Sequence, residues 1–394
     1  MEKVRFGIIG VGNIGTAHAK KFAAGMIENG VLTAVCDLLP ERVAKAQARE
    51  GLEGVAGFTD YKEMLTSGLC DAVIVATPHY AHPSITIDAL NAGLHVLTEK
   101  PAGVYTKQVK EMNEVAKKSD KLFTMMFNQR TNCIYRKMRE LISSGEIGNI
   151  KRVNWIITTW YRAQNYFDSG SWRATWRGEG GGVLFNQCPH QLDLLSWITG
   201  MMPERIHSFC HFGKWHDIEV EDDVTAYMEF PNGATGVFIT STADAPGTNR
   251  LEILGDCGKL IAEAQGESGE PALTFYKLEE NEREFCKTTQ KGFGSTPHKQ
   301  LIEVETDGKN PQHAGILNNF ANAILGIEPL FVDGTEGING VQLMDAMLLS
   351  TWLGKTVELP IDDDLYLTEL KKRIATGRVK EGVTNVLMNT EGTY

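Results

Sequence analysis

The sequence predicts an α/β fold in two parts. Residues 1–125 are expected to form a doubly wound parallel sheet, and residues 126–360 an α+β domain with a mainly antiparallel sheet. Three observations support this prediction. Strand and helix patterns alternate over the first part of the chain. A glycine-rich turn joins the first strand to the first helix. From Lys151 onward, β-rich runs are separated by hairpin turns.

The composition argues against several classes of protein. The chain has 394 residues, 42% of them hydrophobic, and a net charge of −11, which disfavours nucleic acid or an anionic membrane as the main partner. The seven cysteines include no Cys-x-x-Cys pair, as is typical of a reducing compartment. Met1 leads directly into an apolar strand without a signal-peptide pattern. We therefore expect a cytoplasmic protein.

The first strand, Arg5–Ile9, leads into the motif Gly10-x-Gly12-x-x-Gly15 and then into a helix. Gly10 allows the tight turn, Gly12 lets the backbone approach a pyrophosphate, and Gly15 lets helix and strand pack closely. The free N–H groups at the start of the helix attract phosphate. The predicted dinucleotide contacts at this turn are Gly10, Gly12, Asn13, Ile14 and Gly15.

The second predicted strand, Leu32–Cys36, ends at Asp37. An acidic residue at this distance from the glycines can bind the ribose hydroxyls of the cofactor. Its charge repels a 2′-phosphate, so the sequence favours NAD over NADP. The alternative is a solvated turn residue before Pro40.

The stretch Leu97–Pro101 ends a later strand, His95–Thr98, and contains Lys100. In an open parallel sheet, ligands bind beyond the carboxyl ends of the strands. Lys100 is therefore expected to direct its amine into the cofactor crevice.

A second strand end, after Ala72–Ala76, carries His79 and His82. They are spaced like a metal pair, but no nearby carboxylate or thiol completes a set, and zinc requires at least three protein ligands. We interpret them as helix capping and cleft lining, and we predict no metal site. The predicted cofactor contacts at this strand end are Thr77, Pro78 and His82.

The remaining pattern completes the two domains. Further helices are predicted at 41–49, Tyr61–Thr66, Pro83–Asn91, Lys107–Ser119, Tyr135–Ser143, His313–Leu325 and Glu336–Leu353. Further strands are predicted at Leu122–Phe127, Val153–Trp160, Ile206–His211, Val224–Phe230, Ala234–Thr240 and Arg250–Leu254. Residues 259–312 indicate only strands and charged loops. Residues 361–394 form a polar C-terminal tail to which no activity is assigned.

An aromatic loop rich in arginine precedes the main helix of the second domain. It contains Trp160-Tyr161-Arg162, Tyr166, Trp172-Arg173 and Trp176-Arg177. Such rings suit the C–H faces of sugars while polar groups bind hydroxyls. The alternative is a buried aromatic cluster with arginines stacked on it.

The main helix is predicted at Val183–Thr199, after three consecutive glycines. Asn186, His190 and Asp193 have i, i+4, i+7 spacing and are expected to share one face. Polar groups on an otherwise apolar helix are costly unless they line a site. The spacing therefore predicts a polar stripe that faces a functional cleft. The alternative for a single histidine is a core residue whose hydrogen bonds are satisfied.

These motifs together resemble the Gfo/Idh/MocA family of nicotinamide-dependent sugar and polyol dehydrogenases, as far as about residue 360. The matching motifs are Gly10-x-Gly12-x-x-Gly15, Ala76-Thr77-Pro78, Glu99-Lys100-Pro101, Ile147-Gly148, Gly180-Gly181-Gly182 before His190-x-x-Asp193, Leu317-x-Asn319-Phe320 and Val357-Glu358-Leu359-Pro360. The resemblance implies a Rossmann domain followed by an open-faced sheet that carries the substrate pocket. It also implies a homo-oligomer, a dimer or tetramer through that sheet. Glu99, Lys100 and Asn128 are assigned to the cofactor.

The resemblance implies that Lys100 and His190 flank the reacting carbon. His190 would act as general base, and Lys100 would bind the reacting oxygen. Asn186 and Asp193 would orient them. Many family members have an aspartate where this chain has Asn186, and an amide cannot accept a proton, so an acid/base dyad is in doubt. The candidate substrate contacts are Tyr161, Trp172, Arg173, Asn186 and His190.

Three hypotheses follow from this resemblance. The first is an NAD-dependent dehydrogenase of a sugar, polyol or glycoside. The second is a redox-neutral glycosidase that oxidises the sugar, eliminates the aglycone and returns the hydride; a related enzyme would perform only the first oxidation. The third is a non-catalytic NAD-binding regulator, which would need neither Lys100 nor His190.

Overall fold

The computed structural model describes residues 3–264 and 269–380, and it confirms the predicted α/β fold class. The first domain alternates strand and helix in the order β1 Val4–Ile9, α1 Asn13–Ala23, β2 Gly30–Cys36, α2 Pro40–Gln47, β3 Ala56–Phe58, α3 Tyr61–Thr66, β4 Ala72–Val75, α4 His82–Asn91, β5 His95–Thr98, α5 Thr106–Lys118 and β6 Phe123–Met125. Its six strands are parallel, in the order β3-β2-β1-β4-β5-β6.

The register of this sheet brings three strand ends to one edge. Ile9 at the end of β1 lies beside Val75 at the end of β4, and Val75 lies beside Thr98 at the end of β5. All four residues of β4 are buried, as expected for a parallel sheet that is covered on both faces. The glycine turn, the segment after β4 and Lys100 therefore meet at the carboxyl edge.

The second domain is built on a nine-stranded sheet. Its elements are α6 Cys133–Ser143, β7 Ile150–Ile157, α7 Gln164–Phe167, α8 Val183–Asn186, α9 Pro189–Thr199, β8 Arg205–Phe212, β9 Glu221–Glu229, β10 Thr235–Ser241, β11 Asn249–Gly255, β12 Gly258–Ala264, β13 Pro271–Leu278, α10 Glu282–Thr288, β14 Lys299–Ile302, α11 Gln312–Ile324, α12 Gly337–Leu353, β15 Val357–Glu358 and α13 Asp363–Thr376. The order is β14-β13-β12-β11-β7-β10-β9-β8-β15. The β7–β10 pair is parallel and the other pairs are antiparallel.

Among the described residues, helices cover one face of this sheet and leave the other face open. On the covered face, the backbone N–H of Ser208 in β8 donates to Ser350 Oγ in α12 at 3.0 Å. On the open face, Phe209 and Tyr227 are 59% and 43% exposed. Cross-strand pairing places them on the same side, because His207 and Phe209 in β8 lie opposite Tyr227 and Thr225 in β9.

Helices from the second half of the chain also pack on the first domain. The ring of Phe320 in α11 lies 6.1 Å from that of Phe6 in β1. Asp345 in α12 accepts a hydrogen bond from the Thr106 backbone N–H at 2.9 Å. The two sheets are therefore joined by packing as well as by the chain between them.

The polar segment after residue 360 contains α13, a helix that the sequence analysis did not predict. Asp362 caps this helix by accepting from the N–H groups of Asp364 and Leu365. Tyr366 is fully buried and stacks on Trp352 at 5.3 Å. Tyr366, Leu370 and Ile374 recur every four residues in α13, so a helical signal was present, but the many charged residues around it led to its interpretation as a polar tail. Helix α10 and the three-residue strand β3 were also missed, because neither has an apolar run long enough to show a period. The last part of the predicted tail, residues 381–394, lies outside the described residues.

Candidate active site

A hydrogen bond joins the first domain to the second at the carboxyl edge of the parallel sheet. Lys100 follows β5, and its Nζ donates to the backbone carbonyl of Asn186 at 2.9 Å. The last carbonyls of a helix have no partner within the helix, and Asn186 is the last residue of α8. The end of α8 therefore supplies the acceptor that holds the Lys100 amine in the cleft.

The predicted continuous helix Val183–Thr199 is wrong. It is two helices, because α8 ends at Asn186 and Pro189 begins α9. Proline has no N–H to donate and is tolerated only in the first turn of a helix. His190 and Asp193 share α9, but Asn186 does not belong to that helix, so the predicted three-residue stripe does not form.

His190 is 6% exposed, and neither of its ring nitrogens has a hydrogen-bond partner among the described residues. Burial lowers the pKa of His190 well below its ordinary value, and the positive charge of Lys100 lowers it further. The imidazole is therefore neutral at neutral pH and can accept a proton. Lys100 is close enough for its charge to act on this ring.

Asp193 forms a buried ion pair. Arg130 Nε and Nη2 donate to its two carboxylate oxygens at 2.8 and 2.5 Å, and Arg130 Nη1 also donates to Glu336 at 2.6 Å. The side chains of Asp193 and Arg130 are each 2% exposed. This pairing fixes α9 to the segment that follows β6, while the orienting role predicted for Asp193 stays a prediction.

The Asn186 side chain is held from two sides. Its Oδ1 accepts from the Tyr166 hydroxyl at 3.0 Å, and its Nδ2 donates to Glu179. The Arg173 guanidinium donates to the same Tyr166 hydroxyl at 2.9 Å. Glu179 was missed from the sequence, although a single carboxylate within Gly178-Glu179-Gly180-Gly181-Gly182 was a usable signal.

The predicted substrate contacts separate into two groups. Arg173 stacks on both Tyr166 and Trp172, with its Cζ 4.6 and 4.7 Å from the ring centres. Trp172 in turn lies edge-on to His79 at 5.7 Å. These side chains line the same region as Asn186. Tyr161, by contrast, is 54% exposed at the surface.

The glycine turn has the shape of a phosphate cradle. A Cβ on Gly10, which has φ +93°, would lie 2.6 Å from the Ala76 carbonyl, and one on Gly15 would lie 1.8 Å from the Gly10 carbonyl. A Cβ on Gly12 would meet nothing within 4 Å. Gly12 caps α1 and, as a glycine, offers no side-chain cap to the N–H groups at this end. The N–H groups of Asn13, Ile14 and Gly15 thus suit a bound pyrophosphate.

Asp37 ties the glycine turn to the end of β2. Its Oδ2 accepts from the Val11 N–H at 3.0 Å, and its Oδ1 accepts from the Leu39 N–H at 3.0 Å. Arg42 Nη1 lies 3.7 Å from Oδ2. The carboxylate therefore combines a turn-forming role with the strand-end position expected of a ribose ligand.

His82 braces the strand ends from the first turn of α4. Its ring nitrogens lie 2.7 Å from the carbonyl oxygens of Pro101 and Thr77. His82 therefore holds the two segments that border the cleft. Pro78 is exposed beside it. Within residues 3–264 and 269–380, no group of three or more histidine, cysteine, aspartate or glutamate side chains could hold a metal ion.

Two more predicted cofactor residues lie deep at this edge. His18 Nε2 lies 2.7 Å from the Glu99 carboxylate, which is 4% exposed. Burial acts to raise the pKa of Glu99, but His18 and nearby positive charge outweigh it and hold the pKa at about 2. Asn128 is fully buried and donates to Gln312, while its Oδ1 has no partner in the described part of the chain.

The arrangement suits a cofactor-dependent reaction in a partly buried cleft. It offers a phosphate cradle, an amine fixed at a strand end and a neutral imidazole. No helix in the described ranges is long and apolar enough to span a bilayer.

Both domains of the chain are similar to known proteins. Residues 4–127 match a family model described as an oxidoreductase family with an NAD-binding Rossmann fold, and residues 135–261 match one described as the GFO/IDH/MocA C-terminal domain. The chain is 27% identical to a D-glucoside 3-dehydrogenase of Escherichia coli, over 90% of this chain and 97% of that protein. It is 27% identical to a myo-inositol 2-dehydrogenase of Thermotoga maritima, over 69% of this chain and 82% of that protein.

A solved structure is also similar. The WlbA dehydrogenase from Bordetella pertussis, in complex with NADH and UDP-GlcNAcA, superposes with a TM-score of 0.76 at 26% identity. The match covers 92% of this chain and 99% of that one. The similarity therefore extends across both sheets.

Paired glycine variants test the cradle. Gly12→Ala is expected to fold normally and to bind NAD at least about tenfold more weakly, because its Cβ points into the space where the pyrophosphate would lie. Gly10→Ala is expected to lose stability instead, since its Cβ meets the Ala76 carbonyl. Calorimetric NAD titration and thermal unfolding measure the two effects. Wild-type affinity in Gly12→Ala would show that the dinucleotide lies elsewhere.

Proposed function

Because the chain belongs to the Gfo/Idh/MocA family of NAD-dependent sugar and polyol oxidoreductases, we propose that it oxidises a secondary alcohol of a sugar, polyol or glycoside with NAD. The observation that carries this proposal is the pairing of Lys100, fixed at the strand end, with the buried and neutral His190. A binding protein would need neither group in this state.

The two side chains have complementary roles in the proposal. His190 accepts the proton of the substrate hydroxyl, which its lowered pKa permits at neutral pH. Lys100 donates a hydrogen bond to the same oxygen and stabilises the negative charge that develops as the proton leaves. Bound NAD supplies the hydride acceptor for the alcohol carbon.

In this proposal, the other residues of the site bind the cofactor and position Lys100. The cradle at Gly10–Gly15 would hold the pyrophosphate, and Asp37 would bind the ribose hydroxyls and disfavour a 2′-phosphate. Thr77 and Asn128 each have a buried side-chain oxygen without a partner in the described structure, which suits contact with the cofactor. Glu99, held by His18 and close to Lys100, would position that lysine.

The aromatic loop supports a carbohydrate substrate. Trp172 presents a ring, and Arg173 presents a guanidinium beside the Asn186 amide. Rings pack on sugar C–H faces, while amide and guanidinium groups bind hydroxyls. The named activities of the two enzymes above, on a D-glucoside and on myo-inositol, agree with this substrate class.

The homo-oligomer expected through the open sheet is part of the proposal. Phe209 and Tyr227 form an exposed aromatic patch there, and such patches mark association surfaces. Sedimentation velocity tests it. Wild type is expected to sediment as an oligomer, and Phe209→Glu, which places a charge in the patch, as a smaller species. A monomeric wild type would contradict this part of the proposal.

The direct test is absorbance at 340 nm with NAD and a panel of sugars, inositols and glycosides, with glycoside cleavage followed in parallel. We expect NADH to form in proportion to the substrate. Cleavage without net NADH would indicate the redox-neutral glycosidase instead. Binding of NAD without either reaction across the panel would favour the regulator.

With the substrate from that panel, Lys100→Ala is expected to lower kcat by about a hundredfold or more, with NAD affinity largely kept. The matched control is Lys107→Ala, an exposed lysine paired with Asp364, which should keep the wild-type rate. An unchanged rate in Lys100→Ala would remove the role assigned to Lys100.

The pH profile tests His190. A base must be deprotonated to act, and the pKa of His190 lies well below its ordinary value of 6.5 because of burial. We therefore expect kcat/KM for oxidation to stay constant down through pH 6.5 and to fall only at lower pH. An acidic limb centred above 6.5 would show that a different group, or a solvated histidine, is the base.

A further inference from the structure

Lys100 is a cation in a poorly solvated place, and its charge needs compensation. Burial lowers the pKa of Lys100, while the carboxylates of Glu99 and Glu179 act in the opposite direction. A lysine that binds the reacting oxygen as proposed above must remain an ammonium to donate. Which carboxylate keeps it so therefore matters for the reaction.

Glu99 is already committed to other partners. Its Oε1 is bound by His18 Nε2 at 2.7 Å, and its Oε2 accepts from the Lys100 backbone N–H at 3.3 Å. Glu99 is the first of the two carboxylates that raise the pKa of Lys100, and Glu179 is the second.

Glu179 lies in the glycine-rich segment before α8, in the second domain. It is 2% exposed. Its Oε2 accepts from the Ala174 N–H at 2.6 Å, and its Oε1 accepts from Asn186 Nδ2. Asn186 is the residue whose backbone carbonyl receives Lys100 Nζ. One carboxylate thus grips the residue that anchors the amine.

A buried carboxylate is costly unless it serves a charge or a hydrogen-bond network. Asn186 could be held by a neutral acceptor as well as by Glu179, so the hydrogen bond alone does not require the charge. Burial raises the pKa of Glu179, while the Arg173 charge, the hydrogen bonds from Ala174 and Asn186, and the Lys100 charge lower it. The Asn186 amide donates to Glu179 and the Asn186 carbonyl accepts from Lys100 Nζ, so one residue joins the carboxylate to the lysine.

We propose that Glu179 is a positioning residue that keeps Lys100 an ammonium and, through the Asn186 amide, fixes the carbonyl that holds it. The effect of Glu179 on the reaction rests on the proposed function, because it acts through the role assigned to Lys100. The electrostatic coupling between the two side chains does not depend on that function.

Other groups also contribute to the charge state of Lys100. Those that act on it are Glu99, Glu179, Arg173 and Cys188. Those that respond to its charge are His79, His82, His190 and His313. Among these, Glu99 and Glu179 are the carboxylates. Removing the charge of either one is expected to lower the pKa of Lys100.

The experiment measures the titration of Lys100 directly in the full chain, by competitive acylation with acetic anhydride at increasing pH and mass spectrometry of the Lys100 peptide. In Glu179→Gln, we expect the Lys100 midpoint to fall by about one pH unit, because a compensating negative charge is lost. The alkaline limb of kcat should move to lower pH by the same amount, while KM changes little.

The matched control is Glu221→Gln. Glu221 is also buried, and it accepts from the Gly182 and Leu184 N–H groups of the same segment, but it is not among the groups that act on Lys100. Burial raises the pKa of Glu221 to about 8, so Glu221→Gln changes a buried carboxyl of this segment with little change of charge at neutral pH and should leave the Lys100 midpoint in place. A Glu179→Gln midpoint equal to wild type, in folded protein, would overturn the proposal.

A charge exchange sharpens the test. In the double variant Glu179→Gln with Asn186→Asp, the new amide at position 179 can accept from the Ala174 N–H and donate to the new carboxylate at position 186. That carboxylate can in turn accept from the Tyr166 hydroxyl. The negative charge has then moved to the residue that anchors Lys100. We expect this double variant to recover at least half of the midpoint shift, which a purely structural role for Glu179 would not produce.

Two further outcomes keep the proposals separable. If Glu179→Gln does not fold, Glu179→Ser is used instead, because it removes the same charge and leaves room for water beside the Ala174 N–H. Its Lys100 midpoint is then compared with that of wild type. If Lys100→Ala keeps its rate while Glu179→Gln still shifts the Lys100 midpoint, the function assigned to Lys100 fails but the coupling stands.

Discussion

The site depends on the hydrogen bond between Lys100 Nζ and the Asn186 carbonyl. This bond connects the carboxyl end of β5 with the end of α8, two elements from different domains. A flexible lysine side chain at a strand end would otherwise sample many rotamers, at a cost in entropy each time it had to be placed. Fixing it against a main-chain oxygen supplies a donor at a constant position beside the His190 ring.

Most of the fold could be predicted from the sequence because its signals are local and repeated. The strands β1, β4 and β5 are short apolar runs bounded by turn residues, and each was located to within about two residues. The glycine turn, Asp37 and Lys100 followed from their positions at strand ends. Helix α13 was missed although Tyr366, Leu370 and Ile374 recur every four residues and Asp362 is a capping residue, because charged residues fill the rest of that segment.

The candidate site was predicted less completely than the fold, for two physical reasons. A spacing of i, i+4, i+7 implies a common face only where the helix is continuous, and Pro189 interrupts it. Asp193 fitted the polar pattern, yet its carboxylate is bound by Arg130, which is distant in sequence. Glu179 lies in an irregular segment, where no periodicity reveals which way a side chain points. Its surroundings depend on how the two sheets meet.

The break between α8 and α9 has a consequence for how this site can diversify. In a continuous helix, the carbonyl of residue 186 would be consumed by the N–H of residue 190, and the lysine would lose its acceptor. Because the acceptor is a main-chain atom freed by the break between the helices, it persists when the side chain at position 186 changes. Exchange of amide and carboxylate at positions 179 and 186 together can therefore retune proton affinity while the main-chain acceptor of the lysine is kept.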